Sequence, residues 1–430
     1  MTASPAGSRG GAAIDLQALA RRSEIGGLEL VGYTDVGDRP AFKLALAETG
    51  GRWYLFCGHL WHRGWSILDV TDPSAAQVVR FLPGPENTWT AQVNVADGLM
   101  VTALARIPPQ WGGDPARPFD ETALVWDVRE PAEPRLLSQI RLGGTGSHRN
   151  FWAGGRYVHL AANAAGFSGY LHVVIDLADP QRPREVSRWW IRGQRDGEVA
   201  ALGDDGLSLH GPAYIVGDRA YLSYGGAGMV VLDMSRPDQP RQLSRFRVAP
   251  PFRGGLHGAG VHTALPLPSR RLAVVNGEAH AERCTEPLSF AGIVDLEIET
   301  EPHLISMLPW PRPSPGLPYA SYCDKGGRFG PHNTHLPQGR PEHEAREDFV
   351  YLTWFNAGLR IYDIADPREP REIAHFVPPD PERRHGPLPA TALVAQSEDV
   401  LVDRRGFIYV SDKNQGIFVL RRTRSVKGAG

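Results

Sequence analysis

A short apolar segment that ends in aspartate, followed within a few residues by proline, recurs along almost the whole 430-residue chain. The repeated aspartates are Asp69, Asp127, Asp176, Asp233, Asp295 and Asp363. A seventh copy of the segment, at residues 416–420, lacks the turn that follows the others. Strand-like segments lie before and after each copy, so each repeat indicates a four-stranded meander. Such repeats are typical of radial folds, and the chain predicts an all-β, seven-bladed β-propeller.

The ring of a propeller must close, because an open sheet edge invites pairing with another chain. The last repeat lacks its outermost strand, whereas residues 28–33 form a strand-like segment that no blade contains. We expect this N-terminal strand to complete the last blade. The predicted organisation is an N-terminal tail at 1–27 with a short helix at 14–23, one propeller domain at 28–421 and a C-terminal tail at 422–430.

Four consecutive repeats begin their innermost strand with histidine. The four are His148, His210, His262 and His332. The start of each innermost strand points toward the central channel, where radial symmetry brings neighbouring blades together. Two further histidines, His257 and His343, lie in loop-like segments and are interpreted as ordinary loop residues. Since converging neutral imidazoles suit Fe(II), Cu or Zn, we predict a divalent transition metal, with Fe(II) favoured, at the mouth of the channel.

Other side chains are candidates for the same end of the channel. His335 competes with His332 as the fourth ligand, because a one-residue slip of register exchanges the faces that the two present. Three residues receive catalytic roles. Glu278 and Asp399 are carboxylates that would orient the imidazole rings through their second N–H groups. His59 lies at a strand end on the same face and would contact the rings or the substrate.

Two insertions interrupt the repeats on the predicted histidine face. The first contains Trp111, and the second, at residues 282–329, contains Tyr319 and Tyr322. Gln92 lies near the start of the innermost strand in a blade that has no histidine there. We expect these four side chains to enclose a largely apolar pocket for a small hydrophobic or aromatic substrate.

Three patterns recur in the repeats: an inner strand led by histidine, a Gly-x-Tyr-x-Tyr-Val strand and a Leu-x-Ile-x-Asp-Val-x-Asp-Pro unit. Together they resemble the LVIVD-repeat proteins over residues 28–421, and residues 358–370 match best. The resemblance implies a β-propeller and no particular activity. That family commonly carries His-Asp or His-Asn at this position, which favours the alternative that each histidine bonds within its own blade. More distantly, the histidine placement is similar to that of carotenoid oxygenases and selenium-binding-type thiol oxidases.

Composition excludes several classes of partner and cofactor. Basic and acidic residues number 46 and 48, so no nucleic-acid partner is expected. No run of about 18 apolar residues predicts a membrane span, and no phosphate loop or dinucleotide fingerprint predicts a nucleotide cofactor. The three cysteines cannot form a disulfide framework and the N-terminal residues lack the apolar core of a signal peptide, which predicts the cytoplasm. The oligomeric state stays open.

Two classes of function follow from these patterns. The first is a metal-dependent enzyme, most directly an oxidoreductase or oxygenase that acts on a small apolar or aromatic molecule. A redox-silent lyase or hydrolase that uses its metal as a Lewis acid is an alternative within this class. The second is a non-catalytic propeller that presents its rim to protein partners. Sugar hydrolysis is disfavoured, because the inner strands carry histidine in place of paired carboxylates. The sequence favours the enzyme.

Overall fold

The computed structural model describes residues 15–201, 206–248, 260–287, 289–337 and 339–423. Most regular structure in these ranges is β-strand, and the predicted all-β propeller is confirmed. The strands are, in chain order, β1 (Glu24–Gly26), β2 (Leu28–Thr34), β3 (Ala41–Thr49), β4 (Arg52–His59), β5 (Gly64–Asp69), β6 (Gln77–Pro83), β7 (Thr88–Trp89), β8 (Val93–Ala96), β9 (Leu99–Arg106), β10 (Thr122–Asp127), β11 (Arg135–Ile140), β12 (Gly143–Phe151), β13 (Tyr157–Ala164), β14 (Leu171–Asp176), β15 (Arg184–Trp189), β16 (Ala213–Val216), β17 (Arg219–Ser223), β18 (Met229–Asp233), β19 (Arg241–Phe246), β20 (Thr263–Leu267), β21 (Leu272–Asn276), β22 (Ala291–Asp295), β23 (His303–Met307), β24 (Phe349–Thr353), β25 (Leu359–Asp363), β26 (Arg371–Val377), β27 (Ser397–Val402), β28 (Phe407–Asp412) and β29 (Gly416–Arg422). The α-helices are α1 (Leu16–Arg21) and α2 (Tyr322–Lys325), and short 3-10 turns span Pro73–Ala75, Pro109–Trp111, Gly225–Ala227 and Pro268–Arg270.

The number of blades differs from the number that the repeats predict. Five sheets of four strands stand in the ring: β3–β6, β16–β19, β20–β23, β24–β26 with β1, and β27–β29 with β2. The remaining strands, β7–β15, form one continuous sheet of nine strands. The structure therefore has five four-stranded blades, and the prediction of seven is wrong.

The nine-stranded sheet arises because β9 pairs with strands outside its own sequence repeat. Ala105, near the end of β9, pairs with Trp89 of β7 and with Gly146 of β12. A Cβ atom on Gly146 would lie 2.1 Å from the carbonyl oxygen of Leu104, so only glycine permits this approach. Sequence periodicity counts strand-and-turn units, but it does not show which units share one ladder of hydrogen bonds.

The repeated aspartates build turns and take no part in the candidate site. In each of the six repeats the carboxylate accepts a hydrogen bond from the backbone N–H two residues ahead, as Asp176 does from Ala178 at 2.8 Å. Aspartate commonly stabilises turns in this way. The turn also links neighbouring sheets, because the Ser187 hydroxyl donates to the carbonyl of Pro237 at 2.6 Å.

Two strands near the N-terminus complete two neighbouring sheets. β2 pairs antiparallel with β29, which is the predicted closure of the last sheet. β1 pairs antiparallel with β26, although the sequence places β1 in a tail. The helix expected at 14–23 is α1, whose N-terminus is capped by the Asp15 carboxylate. Residues 1–14 and 424–430 of the predicted tails, and His257, lie outside the described residues.

Cys284 and Cys323 form a disulfide bond within the second insertion, whereas Cys57 is free and buried. The expectation of cysteines without cross-links is therefore wrong for this pair. The two cysteines are 39 positions apart in the sequence, and this spacing does not show that the insertion folds back on itself. None of the helices in the described ranges combines the length and apolar character needed to cross a membrane.

Candidate functional site

The four histidines His148, His210, His262 and His332, which we call the channel histidines, reach one end of the propeller through their backbone positions. The N–H of His210 donates to the carbonyl of Ser223 at 2.9 Å. His262 and His332 make the equivalent bonds to the neighbouring strands at 2.7 and 2.8 Å. His148 lies in β12 where the register of pairing with β13 shifts, and such an irregularity re-aims a side chain.

The rings of the channel histidines lie side by side in an arc. The ring centroids are 4.8 Å apart for His148 and His210, and 5.1 Å apart for His210 and His262. The centroids of His262 and His332 are 4.7 Å apart. The structure thus brings together the four residues that the sequence selects. Their nitrogens do not meet at one point: among the described residues, only His210, His262 and Glu278 form a group of three ligand atoms within 4.8 Å of one another.

Glu278 is the anion at the centre of this arc. Its Oε2 atom lies 2.9 Å from Nε2 of His210 and 3.6 Å from Nε2 of His262. Its Oε1 atom lies 3.0 Å from a guanidinium nitrogen of Arg328. Burial raises the pKa of the Glu278 carboxyl, but His280 and His262 outweigh burial and hold that pKa well below its ordinary value. Glu278 is therefore ionised, and it is placed as a candidate ligand as well as an orienting group.

Three of the four channel histidines, His148, His262 and His332, are neutral. Burial is the main cause that holds the pKa of His148, His262 and His332 well below 6.5. A neutral ring keeps a lone pair on one nitrogen. In the described part of the chain, Nε2 of His148 is buried with no hydrogen-bond partner. Neutral imidazoles with one anionic carboxylate form a donor set that fits a divalent transition metal.

Arg149 already occupies two of the imidazole nitrogens of that donor set. Its buried guanidinium lies 2.9 Å from Nε2 of His262 and 3.4 Å from Nε2 of His332. A guanidinium group only donates hydrogen bonds, so these imidazole nitrogens accept. An ion shared by the two rings would need the space that Arg149 fills, and the predicted four-histidine centre is not the arrangement observed. Alternation along a strand would send Arg149 and His148 to opposite faces, but the register shift brings both to the channel.

His59 and His335 are held by their own surroundings and do not reach the cavity. Nε2 of His59 lies 2.8 Å from the hydroxyl oxygen of Ser66. Nε2 of His335 lies 2.8 Å from the carbonyl oxygen of Glu344, and its other ring nitrogen accepts a backbone hydrogen bond. His332, and not His335, therefore faces the arc.

Three other predicted residues also lie away from the arc. The Asp399 carboxylate accepts a hydrogen bond from Lys43 Nζ at 2.9 Å, so it orients no imidazole. The hydroxyl of Tyr319 donates to the Glu24 carboxylate at 2.9 Å, and Tyr322 contacts the same carboxylate. These two tyrosines anchor β1 and do not line the cavity. The sequence missed this role because it missed the pairing of β1.

A cavity of about 320 Å³ opens beside the arc. Its walls include the apolar or aromatic residues Phe42, Leu60, Trp89, Ala91, Trp111 and Tyr170, and the polar residues Gln92, His148, Arg149, His210, Glu278, His280, Arg328 and His332. Of the residues predicted to line a pocket, Gln92 and Trp111 do so. Trp111 packs against Trp89 with a ring-centroid distance of 5.3 Å. The volume lies at the small end of the range of about 300–1,000 Å³ that is typical of ligand sites.

Sequence reasoning missed Arg149, Arg328 and His280 in these walls. The spacing of two residues between Glu278 and His280 equals the strand repeat, and this signal was present in the sequence. Arg328 lies in the second insertion, where no periodicity indicates the direction of a side chain.

Comparisons with known proteins support the fold. Residues 344–376 match the model of the LVIVD repeat, and the best-matching stretch predicted above, 358–370, lies inside this range. The β-propeller domain of Cps50 (Swd1) from Myceliophteria thermophila is similar with a TM-score of 0.51 at 10% identity, over 93% of this chain and 99% of that chain. A computationally designed protein, Ika8, matches with a TM-score of 0.48 at 9% identity, over 91% of this chain and 99% of that chain. No curated protein matches the chain. Nothing in these comparisons supports the distant similarity to carotenoid oxygenases or selenium-binding-type oxidases.

Proposed function

Taking the chain as a β-propeller that carries an LVIVD repeat, we propose that it is a metal-dependent oxidoreductase whose ion is held by His210, His262 and Glu278. The proposal depends on one observation: the ligand atoms of these three residues lie within 4.8 Å of one another, beside a cavity. Two histidines and one carboxylate with open positions form the ligand set of non-haem Fe(II) oxygenases. Fe(II) is therefore favoured over Cu or Zn, and when bound it would supply the chemistry of dioxygen activation.

Neighbouring side chains would prepare this ligand set. Arg328 donates to the Glu278 carboxylate at 3.0 Å and orients it, and the carboxylate would offset part of the charge of an ion. Its second guanidinium nitrogen lies 3.4 Å from Glu398, which fixes Arg328 in turn. Burial keeps His262 neutral, and its Nε2 lone pair, which accepts a hydrogen bond from Arg149 in this structure, would become a ligand once Arg149 moves away. The protein would thus hold the site ready without a change of protonation at neutral pH.

The walls of the cavity favour a small aromatic or apolar substrate. Trp89, Trp111 and Tyr170 supply flat apolar surface, and the Tyr170 ring stacks on His148 with a centroid distance of 5.4 Å. Such surfaces bind aromatic rings through offset stacking and burial of apolar area. A cavity of about 320 Å³ holds one small ring system, and a ring bound there would displace water from the arc.

Metal analysis of protein purified without a polyhistidine tag tests the metal site. We expect about one Fe(II) per chain after anaerobic loading, and loss of that ion in His210→Ala and Glu278→Gln. His303→Ala, which changes an exposed histidine of β23, is the matched control and keeps the ion. A folded wild-type protein that binds none of Fe(II), Cu(II) or Zn(II) would sink the proposal and leave a non-catalytic scaffold.

Oxygen uptake tests the redox part. Iron-loaded protein is expected to consume dioxygen when small aromatic compounds are supplied, and His210→Ala is not. Binding of the ion without oxygen uptake for any compound in the panel would contradict an oxygenase and favour a redox-silent hydrolase or lyase.

A further inference from the structure

We propose that Arg149 is an anion-binding residue of the cavity and that the ligand is a small aromatic or apolar carboxylate. This inference deepens the proposed function by naming its substrate class, and as a statement about substrate it rests on that function. The binding event itself does not require the metal, which allows the two proposals to be tested separately.

The first argument is the lack of a countercharge at Arg149. The residue is 3% exposed, yet within the described ranges its guanidinium pairs with no carboxylate, and its contacts are two imidazole nitrogens and the face of the Phe42 ring. Its Nε atom is buried with no hydrogen-bond partner. A guanidinium stays protonated in proteins, and a buried charge without a partner is unfavourable. An anionic ligand in the adjoining cavity would supply the missing charge and the missing acceptor.

The second argument is the contrast with Arg328, which lines the same cavity. Arg328 lies 3.0 Å from a Glu278 oxygen and 3.4 Å from a Glu398 oxygen, so its charge is already balanced. Lys413 lies 2.5 Å from the same Glu398 carboxylate. Arg328 and Lys413 therefore each have a carboxylate partner, whereas no carboxylate of the described residues forms an ion pair with Arg149. One carboxylate on a ligand would supply that partner.

The third argument is the chemistry of the remaining walls. Trp89, Trp111 and Phe42 offer apolar surface and no further positive charge. Arginine pairs with carboxylates through two parallel N–H···O bonds, which fixes the orientation of the ligand. A ring that bears one carboxylate satisfies both parts of the cavity at once.

Ligand titration of the metal-free protein tests this inference. Sodium benzoate and benzyl alcohol share the ring and differ in charge, and the tryptophans in the wall report binding by fluorescence, with calorimetry as the second readout. We expect benzoate to bind at least about tenfold more tightly than benzyl alcohol, because a hydrogen bond between charged groups contributes more to binding than one to a neutral hydroxyl. Arg149→Gln is expected to remove this preference, and Arg149→Lys to retain part of it. Arg182→Gln, at an exposed arginine, is the control and leaves it unchanged.

Each outcome decides between the two proposals. Equal binding of the two probes to wild type, or a benzoate preference that survives in Arg149→Gln, overturns the inference. If Arg149→Gln does not fold, the wild-type preference and its reduction in Arg149→Lys decide the question. Benzoate binding that needs Arg149 in a protein that binds no metal supports this inference and refutes the proposed function. Fe(II) binding that needs Glu278, in a protein that does not prefer benzoate, supports the proposed function and refutes this inference.

Discussion

Two groups of buried histidines in this propeller differ in what their ring nitrogens face. The channel histidines turn theirs toward Glu278, Arg149 and the cavity. The second group comprises His59, His335 and His343, which we call the tied histidines because at least one ring nitrogen of each bonds to a nearby backbone carbonyl. His343, interpreted from sequence as a loop residue, is buried among them. Burial lowers the pKa of His262 just as it lowers that of His59, His335 and His343, so burial alone does not distinguish the two groups. The position beside Glu278 and the cavity distinguishes them.

The largest effect is expected when the carboxylate of the channel group is removed. Glu278→Ala leaves Arg328 without its closest buried partner, and breaking a buried ion pair costs about 3–5 kcal/mol. We expect that loss in the free energy of unfolding, measured by urea denaturation, together with a metal affinity at least about 100-fold lower. The double variant Glu278→Ala/Arg328→Met should regain stability without regaining metal. A single variant as stable as wild type would show that the pair is not what holds this end of the channel.

Substituting one histidine of each group in parallel tests the difference between the groups. His335→Ala deletes a ring with two backbone hydrogen bonds, and we expect the free energy of unfolding to fall by about 2–4 kcal/mol with metal binding unchanged. His210→Ala should do the opposite, with a loss of stability below about 2 kcal/mol and a metal affinity about 100-fold lower. Thermal melts and metal titrations of both variants provide the check. Equal effects of the two substitutions on both readouts would remove the distinction between the groups.

The tied histidines should make stability depend on pH. Burial lowers the pKa of His335 to about 3 and that of His343 to about 4, against about 6.5 in an unfolded chain. Below pH 6.5 the unfolded chain therefore binds protons that the folded protein does not. Each residue then reduces the free energy of unfolding by up to about 1.4 kcal/mol per pH unit, until the pH reaches its folded pKa.

Urea denaturation of wild type and His343→Gln between pH 7.5 and 5.0 measures this dependence. The free energy of unfolding of the variant should fall less steeply as the pH decreases. The difference in slope should correspond to about one bound proton. Parallel curves for the two proteins would mean that His343 is protonated in the folded state.

The smallest effect is expected from the cation that faces the channel histidines. Arg149→Gln removes a donor from Nε2 of His262 and a like charge from the neighbourhood of the ion. We expect Zn(II) to bind about three- to tenfold more tightly to this variant than to wild type, by calorimetry after removal of bound metal. Weaker binding would show that Arg149 supports the ligand set and does not compete with an ion.

The fold was predictable where local chemistry repeats. The turns at Asp176 and its equivalents, the closure by β2 and the shared direction of the channel histidines all follow from strand periodicity. The number of blades was not predictable in the same way, because the join between β9 and β12 depends on contact of backbones at Gly146. That contact joins two sequence repeats, whereas the periodicity of the sequence describes only the strands within one repeat.

The candidate site shows the same limit at the level of single side chains. Glu278 was identified because it lies at a strand end on the histidine face. Arg149 was missed because an irregularity in β12 breaks the alternation on which such an assignment depends. His59 and Asp399 were placed near the correct end, but their partners, Ser66 and Lys43, come from surroundings that spacing does not reveal.

The pairing of β1 with β26 and of β2 with β29 also bears on how the protein is made. The ribosome releases β1 and β2 before the other strands of the described propeller, while β26 and β29 emerge only after the sheets that lie between them in the sequence. Until then, two adjacent sheets lack an outer strand, and their partners wait as exposed single strands that other nascent chains could capture. The ring is thus complete only after β29 has left the ribosome, when the first and the last strands of the described propeller can pair.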